Sequence, residues 1–396
     1  MKFGKVIDYL NLNGIGALEF LFALYIILCG YEMFLSSSVL VAVLMFLIAF
    51  NRKGLNVFVS YKPLTLLVIY VMMHDFLYMF MVKEDFSTYY KNYIGTGIIM
   101  CLIPWIAGAM DYKYLKCSLN IVVIISSFGI VYHLLQVANG NHIQPLRFPF
   151  LPFNMSNPSL NMASLVRPTS FFTEPQAFVS FALVPLFISL TDKKYIFCAF
   201  LLLSILLSTS TTGIFASFLI LPLYVIRGRF NLKSVFFLLL AIGLLYYLLT
   251  SAEVFTQGLE KLERTDFSTT ERLNQGVILT SRMKGIEFIF GAPYFSSTIF
   301  CIDRGLASLI NDGSVFVSTF WSLLLRYGVI GLFFYFYVFY RMIMKDKSLI
   351  PYTVVYIATI FSNPDTLGAF YAYSCVFMLV YIKRNEFNQK HQKILQ

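Results

Sequence analysis

Arg147, Arg167, Arg264, Arg272, Arg282, Arg304 and Arg326 fall within, or at the edge of, the two longest polar stretches of a mostly apolar chain. A guanidinium fork grips phosphate or carboxylate oxygens two at a time and stays charged at every relevant pH. Several of them beside an apolar cavity would suit a lipid diphosphate. The same stretches carry Glu253, Glu260, Glu263, Asp266, Glu271, Glu287 and Asp303. A second reading is therefore that the arginines pair with the acids of their own loop. Glu174 stands directly before Pro175 at the start of an apolar run. Proline suits the first helical turn, which puts the carboxylate at the positive end of a helix dipole. There it could act as a general base toward an attacking hydroxyl or serve only as a cap charge. Asp303 and Asp312 are the other candidate bases. His74 and Asp75 sit in the middle of LVIYVMMHDFLYMF. Ionisable groups at that depth of an apolar run face a cavity or a partner, so the two are either a proton path or a mutually satisfied pair.

The elements that must position these residues are set by composition. The chain has 396 residues, 58% hydrophobic, 18% aromatic and 13% charged, with mean hydropathy +0.74. Soluble domains carry about a quarter charged residues. Half that share leaves too little polar surface to cover a globule, so lipid is the expected solvent and the lipid bilayer the first expected partner. The net charge of +10 suggests nucleic acid, but no basic run interleaves with aromatics outside the apolar segments, which excludes that partner. Cys29, Cys101, Cys117, Cys198, Cys301 and Cys375 form no C-x-x-C, and the four histidines form no H-x-x-x-H. Neither a disulfide framework nor a metal site is indicated, and no cofactor is expected.

A membrane helix needs about 20 mostly apolar residues. Candidates lie near 15–34, 36–50, 63–82, 94–110, 117–137, 175–190, 195–210, 212–226, 234–252, 325–342, 348–361 and 368–382. The fold class expected is thus an all-α polytopic membrane protein of about 12 transmembrane helices, forming one membrane domain over residues 1–396 with a retained first span. Glu19 and Glu32, near span ends, are expected to snorkel. Most of the 30 Lys and Arg fall in the short segments that face one side if the N-terminus is cytoplasmic. The positive-inside rule then makes both termini cytoplasmic. Two long segments face the other side, residues 138–174 and 253–324. The first is rich in Pro and Asn. The second opens with a charged stretch of helical spacing, expected to fold against the membrane face, and breaks at GAPYF. STSTTG, which joins 195–210 to 212–226, reads as a tight hairpin with a Gly.

Four stretches then fall into an order. RPTSFFTEP (167–175) follows the first long outer segment. LLSTSTTGIFA (206–216) makes a Ser/Thr-rich hairpin. TTERLNQ…FIFGAP (269–293) lies in the second outer segment. NDGSVFVSTFWSLLLRYGVIGLFFYF, from Asn311, returns the chain to the membrane with a GxxGL pattern. In this order and topology the chain resembles the bacterial O-antigen and capsular polysaccharide polymerases (Wzy-type) and, more distantly, the O-antigen ligases, over roughly residues 138–345.

The resemblance implies a metal-independent membrane glycosyltransferase, similar to the GT-C class, in the cytoplasmic (inner) membrane. It would join undecaprenyl-diphosphate-linked repeat units, donor to acceptor, during lipopolysaccharide or related polysaccharide biosynthesis. A chain-length regulator protein is an implied partner. Arg167 and Arg272 become the first candidates for diphosphate or acceptor binding, with Arg304 behind them. Two departures favour polymerase over ligase. No histidine occurs from Ile143 to Lys390, where ligases carry one before the return segment, and Asn311-Asp312 stands there instead. Glu174-Pro175 replaces the ligases' His-Pro-Asn. The rival class is a secondary transporter or lipid-linked sugar flippase with His74-Asp75 as its coupling site.

Overall fold

The computed structural model describes residues 16–31, 37–54, 61–81, 86–139, 141, 143–149, 151, 168–226, 243, 268–294, 297–310, 315, 317–361 and 367–395. Arg167, Arg264, Asp312, Glu32 and, Gly243 apart, the apolar segment 234–252 lie outside them. The described residues are helical, with no strand among them. In chain order the helices are α1 (Ala17–Leu28), α2 (Ser37–Lys53), α3 (Lys62–Tyr78), α4 (Phe86–Ala109), α5 (Tyr112–Ala138), α6 (Pro175–Thr191), α7 (Tyr195–Leu207), α8 (Thr211–Ile226), α9 (Ser268–Ser281), α10 (Gly285–Phe290), α11 (Ser297–Asp303), α12 (Thr319–Lys345), α13 (Ile350–Thr359) and α14 (Ala369–Leu395). Every apolar segment predicted from sequence, 234–252 excepted, coincides with one of them. By length and composition two are long and apolar enough to cross a membrane, Tyr112–Val137 and Thr319–Lys345, and several shorter apolar helices accompany them.

The chain forms two compact units. The first comprises Met1–Arg52, Ala109–Arg264 and Ile350–Tyr356. Its centre is α6, apolar all round, and every residue from Ala177 to Leu190 is buried, as such a helix requires. Helices α5, α7 and α8 pack around α6, and α1 packs on α5. Glu19 does not snorkel. It is fully buried, accepts from Arg52 at 2.7 Å and from the backbone N–H of Asp111 at 2.7 Å, because a carboxylate removed from water needs a cation and donors around it. The STSTTG hairpin forms as expected between α7 and α8. The left-handed residue of the turn is Thr209, at φ 54°. Gly213 sits inside α8, where an added Cβ would lie 2.7 Å from Val179. The glycine serves helix–helix approach and not the turn.

The second unit comprises Lys53–Gly108, Thr265–Leu349 and Ile357–Gln396. Here α3, α9, α10 and α14 pack on α12. Tyr371 of α14 lies against Tyr335 and Phe339 of α12, at 5.1 and 5.8 Å between ring centroids. Lys383 donates to the carbonyl of Gly108 at 2.6 Å, satisfying a carbonyl that the end of α4 leaves open. Residues 279–325 also build a core of their own from Leu279, Tyr294, Phe300, Val317 and Leu325. The second long polar segment of the sequence is thus a folded cap on α12 wherever it is described, helical over 268–281 and broken after Phe290 as its composition suggests.

In both units large apolar side chains line the outside at helical spacing. Leu40, Leu44 and Leu47 do so on α2, Ile125, Phe128 and Tyr132 on α5, Leu66, Ile69 and Met73 on α3. Ser118, Ser126, Ser127 and Asp75 are buried on the same helices. This is the reverse of the pattern on a water-facing helix.

Helix α12 is not continuous. Gly328 has φ 65° and ψ −171° and divides it into two helical halves. An added Cβ there would lie 2.3 Å from the carbonyl oxygen of Ile289. Gly54 has φ 64° with open space around it. Gly54→Ala is therefore expected to cost about 1 kcal/mol, the left-handed penalty alone. Gly328→Ala should cost on the order of 3 kcal/mol, adding overpacking against fixed backbone. Thermal unfolding in detergent checks this, and equal losses would contradict the close approach.

Candidate functional site

The break at Gly328 frees carbonyls that a continuous helix would satisfy, and the second unit supplies donors for them. Ala292 N–H donates to Leu325 O at 2.7 Å, and the Tyr70 hydroxyl donates to Tyr327 O at 2.7 Å. The approach is close enough that a Cβ on Gly291, at φ 99°, would lie 2.0 Å from Arg326 O. Glycine alone allows both the backbone angle and the contact.

Arg326, the residue two before the break, turns its guanidinium to Asp75 of α3. Its Nη2 lies 2.5 Å from Asp75 Oδ2, and Tyr327 donates its hydroxyl to the same oxygen at 3.2 Å. His74 Nδ1 lies 3.1 Å from Asp75 Oδ1. Both carboxylate oxygens are engaged, and all four residues are buried. Tyr70, His74 and Tyr78 follow one another at the four-residue spacing that aligns side chains on one helix face. His74 meets Tyr78 edge-on, with 4.2 Å between centroids. Arg326 was a candidate substrate ligand. The structure places it in this interior cluster, where its described partner is a carboxylate from another helix.

The folded cap holds a second group. Glu287 of α10 is buried; it accepts the N–H of Lys284 at 2.7 Å and the guanidinium of Arg304. Arg304 also lies over the ring of Phe300 at 5.3 Å. The pairing of loop arginines with their own acids therefore holds at Arg304. Beside it Tyr294 donates its hydroxyl to Asp303. Burial, reinforced by the Asp303 carboxylate, pushes the tyrosine up to about 12, so it remains a donor. Asp303 keeps partial exposure, more than Glu287 does. Burial likewise pushes the Cys301 thiol up, which disfavours a thiolate nucleophile. Arg282 is exposed just before α10. Arg272 lies on α9, whose backbone alone is described there.

In the first unit Glu174 is the N-cap of α6, extended at φ −144° and ψ 152°, half-buried, and makes no side-chain cap bond. The carboxylate stands at the positive helix end as predicted, without a cap hydrogen bond. Arg147 is exposed and donates to Gln144 at 2.8 Å. The residues leading to Glu174 are fastened by His133 of α5, whose Nδ1 accepts from the backbone N–H groups of Thr169 and Ser170, both at 3.3 Å. Ser170 O in turn accepts from Leu146 N at 2.7 Å. A nitrogen that accepts must be unprotonated, so the proton of this imidazole is on Nε2. His133 escaped sequence reasoning because one histidine in an apolar helix carries no spacing signal.

Among the described residues no three of His, Cys, Asp and Glu gather as a metal site. No known protein family and no curated protein matches the chain.

Replacing His133 tests the fastening. His133→Leu leaves two buried N–H groups without an acceptor, about 1–3 kcal/mol each. His133→Asn keeps an acceptor of similar reach. Protease protection of the 168–174 segment should fall at least about tenfold in the leucine variant and stay near native in the asparagine variant. Equal protection in both would contradict the role.

Proposed function

We propose that this chain is a multi-span membrane glycosyltransferase that polymerises undecaprenyl-diphosphate-linked repeat units on the outer face of the bacterial cytoplasmic membrane. One observation carries the proposal. The four sequence stretches that resemble the polysaccharide polymerases coincide with structural junctions. RPTSFFTEP ends on the first residue of α6, and LLSTSTTGIFA forms the α7–α8 turn. TTERLNQ…FIFGAP builds α9 and α10 up to their contact with the break. The GxxGL pattern supplies Gly328, the break itself, and Gly331, which allows Tyr70 to approach. The apolar outer stripes and buried polar residues on α2, α3 and α5 support lipid as the solvent. About 12 spans with both termini cytoplasmic, and a chain-length regulator as partner, belong to this proposal.

In the reaction, a hydroxyl on the acceptor's terminal sugar attacks the anomeric carbon of the donor. The new C–O bond forms as the bond to the diphosphate breaks. The electron pair leaves on undecaprenyl diphosphate, and the hydroxyl proton passes to a carboxylate. Glu174 has the exposure and helix-end placement for that base, and Asp303 and Asp312 are the alternatives. Arg167 and Arg272 are the proposed ligands for the diphosphate, with Arg147, Arg264 and Arg282 as further contacts, whereas Arg304 is engaged by Glu287. Positive charge fixed at a membrane surface is worth more than in water, because the dielectric is lower.

The transporter reading finds less support. A coupling carboxylate must exchange its charge with a passing proton, whereas Asp75 is neutralised by a buried arginine.

Arg167→Ala and Arg272→Ala should each slow polymerisation by about 100- to 1000-fold. The long ladder of surface polysaccharide on a gel should then collapse to single repeat units. Intact ladders in both variants would overturn the assignment. Loss of all surface glycan, with long lipid-linked chains accumulating, would indicate a ligase.

A further inference from the structure

The cap does more than rest on the membrane surface. Its contact with α12 falls at Leu325–Gly328, six to nine residues into the helix and so about 9–14 Å beyond its start at 1.5 Å per residue. The helix has 27 residues, about 40 Å of rise against a hydrocarbon layer of about 30 Å, so a layer centred on it begins about 5 Å past Thr319 and holds this contact in its outermost part. On the α3 side the same backbone meets Tyr70 and Tyr78. The Tyr70 hydroxyl that donates to Tyr327 O also lies 3.2 Å from Phe290 O, and Tyr78 donates to Gly291 O at 2.9 Å.

Irregular backbone at such a depth survives only where protein satisfies its polar groups, and here it does. The carbonyl of Gly291 takes the Tyr78 hydroxyl, and that of Phe290 lies beside the Tyr70 hydroxyl shared with Tyr327 O. Gly291 N–H donates to Glu287 O and Ala292 N–H to Leu325 O, both at 2.7 Å. The side chains divide in a matching way. Glu287 points inward to Arg304, while Ile286 is 71% exposed and Ile289 and Phe290 are each 46% exposed. Ile302 of α11 is 62% exposed. Arg282 and Lys284, both exposed, stand at the shallow end of α10. Helix α10 has six residues, about 9 Å of rise, which is the distance from a phosphate layer into the acyl chains.

We propose that residues 284–291 form a re-entrant segment that enters the outer leaflet, turns back at Gly291 against the break in α12, and lays Ile286, Ile289 and Phe290 among lipid acyl chains. Arg282 and Lys284 sit at the level of the lipid phosphates, where their charge complements the headgroups. The occupant of this apolar face is therefore bilayer lipid. A second copy of the chain is excluded on charge: two such faces meeting would set Arg282 and Lys284 against their own kind. The inference rests on the membrane reading of the chain and not on glycosyl transfer.

Site-specific photocrosslinking tests it. The full-length protein carries benzoylphenylalanine in place of Ile286, Ile289 or Phe290, in vesicles of zwitterionic and anionic phospholipids. Phe333 of α12, exposed on the deeper half of the helix, is the lipid-facing control. Gln144, exposed in the first outer segment, is the aqueous one. Irradiation should give phospholipid adducts by mass spectrometry at 286, 289, 290 and 333, and at least tenfold fewer at 144. Adducts at 333 but none at 286, 289 or 290 would overturn the re-entrant segment and leave the membrane reading intact. A crosslinked dimer at 289 would overturn the choice of lipid. Absence of lipid adducts at 333 as well would bring down the membrane reading and this inference with it.

Discussion

A carboxylate and a guanidinium taken out of water repay their desolvation only when they meet closely and further hydrogen bonds support both. Asp75 and Arg326 meet at 2.5 Å, with His74 on the other carboxylate oxygen and Tyr327 on the shared one. The pair ties α3 to the last turn of α12 before its break. Everything else in the second unit is arranged around that tie. The break exposes carbonyls, Tyr70 and Ala292 satisfy them, and the backbone that brings Ala292 also brings α10. Without the pair, α3 would still be apolar, and only the Tyr70 and Tyr78 hydroxyls would hold its register against the break.

This arrangement explains how a long outer segment can be chemically useful. A loose loop carrying arginines would lose conformational freedom each time it closed on a diphosphate. A cap with its own core, anchored by backbone contacts to a helix long and apolar enough to cross a membrane, has much of that ordering already in place. The charges divide accordingly. Arg304 and Arg326 hold carboxylates and keep the scaffold closed, while exposed Arg282 faces outward. In the first unit His133 does for the 168–174 segment what Tyr70 and Tyr78 do for the cap: a polar group on a helix holds irregular backbone in place.

Much of this was legible in the sequence, and the parts that were not share a cause. Helix positions followed from runs of apolar residues, and the Glu174–Pro175 junction from proline's place in a first turn. Both are local. The break at Gly328 was hidden because YGVIGLFFYF is apolar throughout and reads as one span; its glycines acquire meaning only from Ile289 and Tyr70. The Asp75–Arg326 pair joins residues 251 positions apart, and no local pattern announces it. Arg304 illustrates the middle case: pairing with a nearby acid was foreseeable, but the choice of Glu287 depended on α10 turning its charged face inward. Arg167, Arg264 and Asp312 lie outside the described residues, and for them the sequence remains the guide.

The claim that the buried pair organises the second unit is tested most directly by a double-mutant cycle on the stability of the purified protein. Asp75→Leu and Arg326→Met alone should each cost about 3–5 kcal/mol, because each strands a buried charge. The double variant, with neither charge left, should recover most of that loss, giving a coupling of at least about 2 kcal/mol. Single losses that simply add would show that Asp75 and Arg326 do not depend on one another, and would contradict the account.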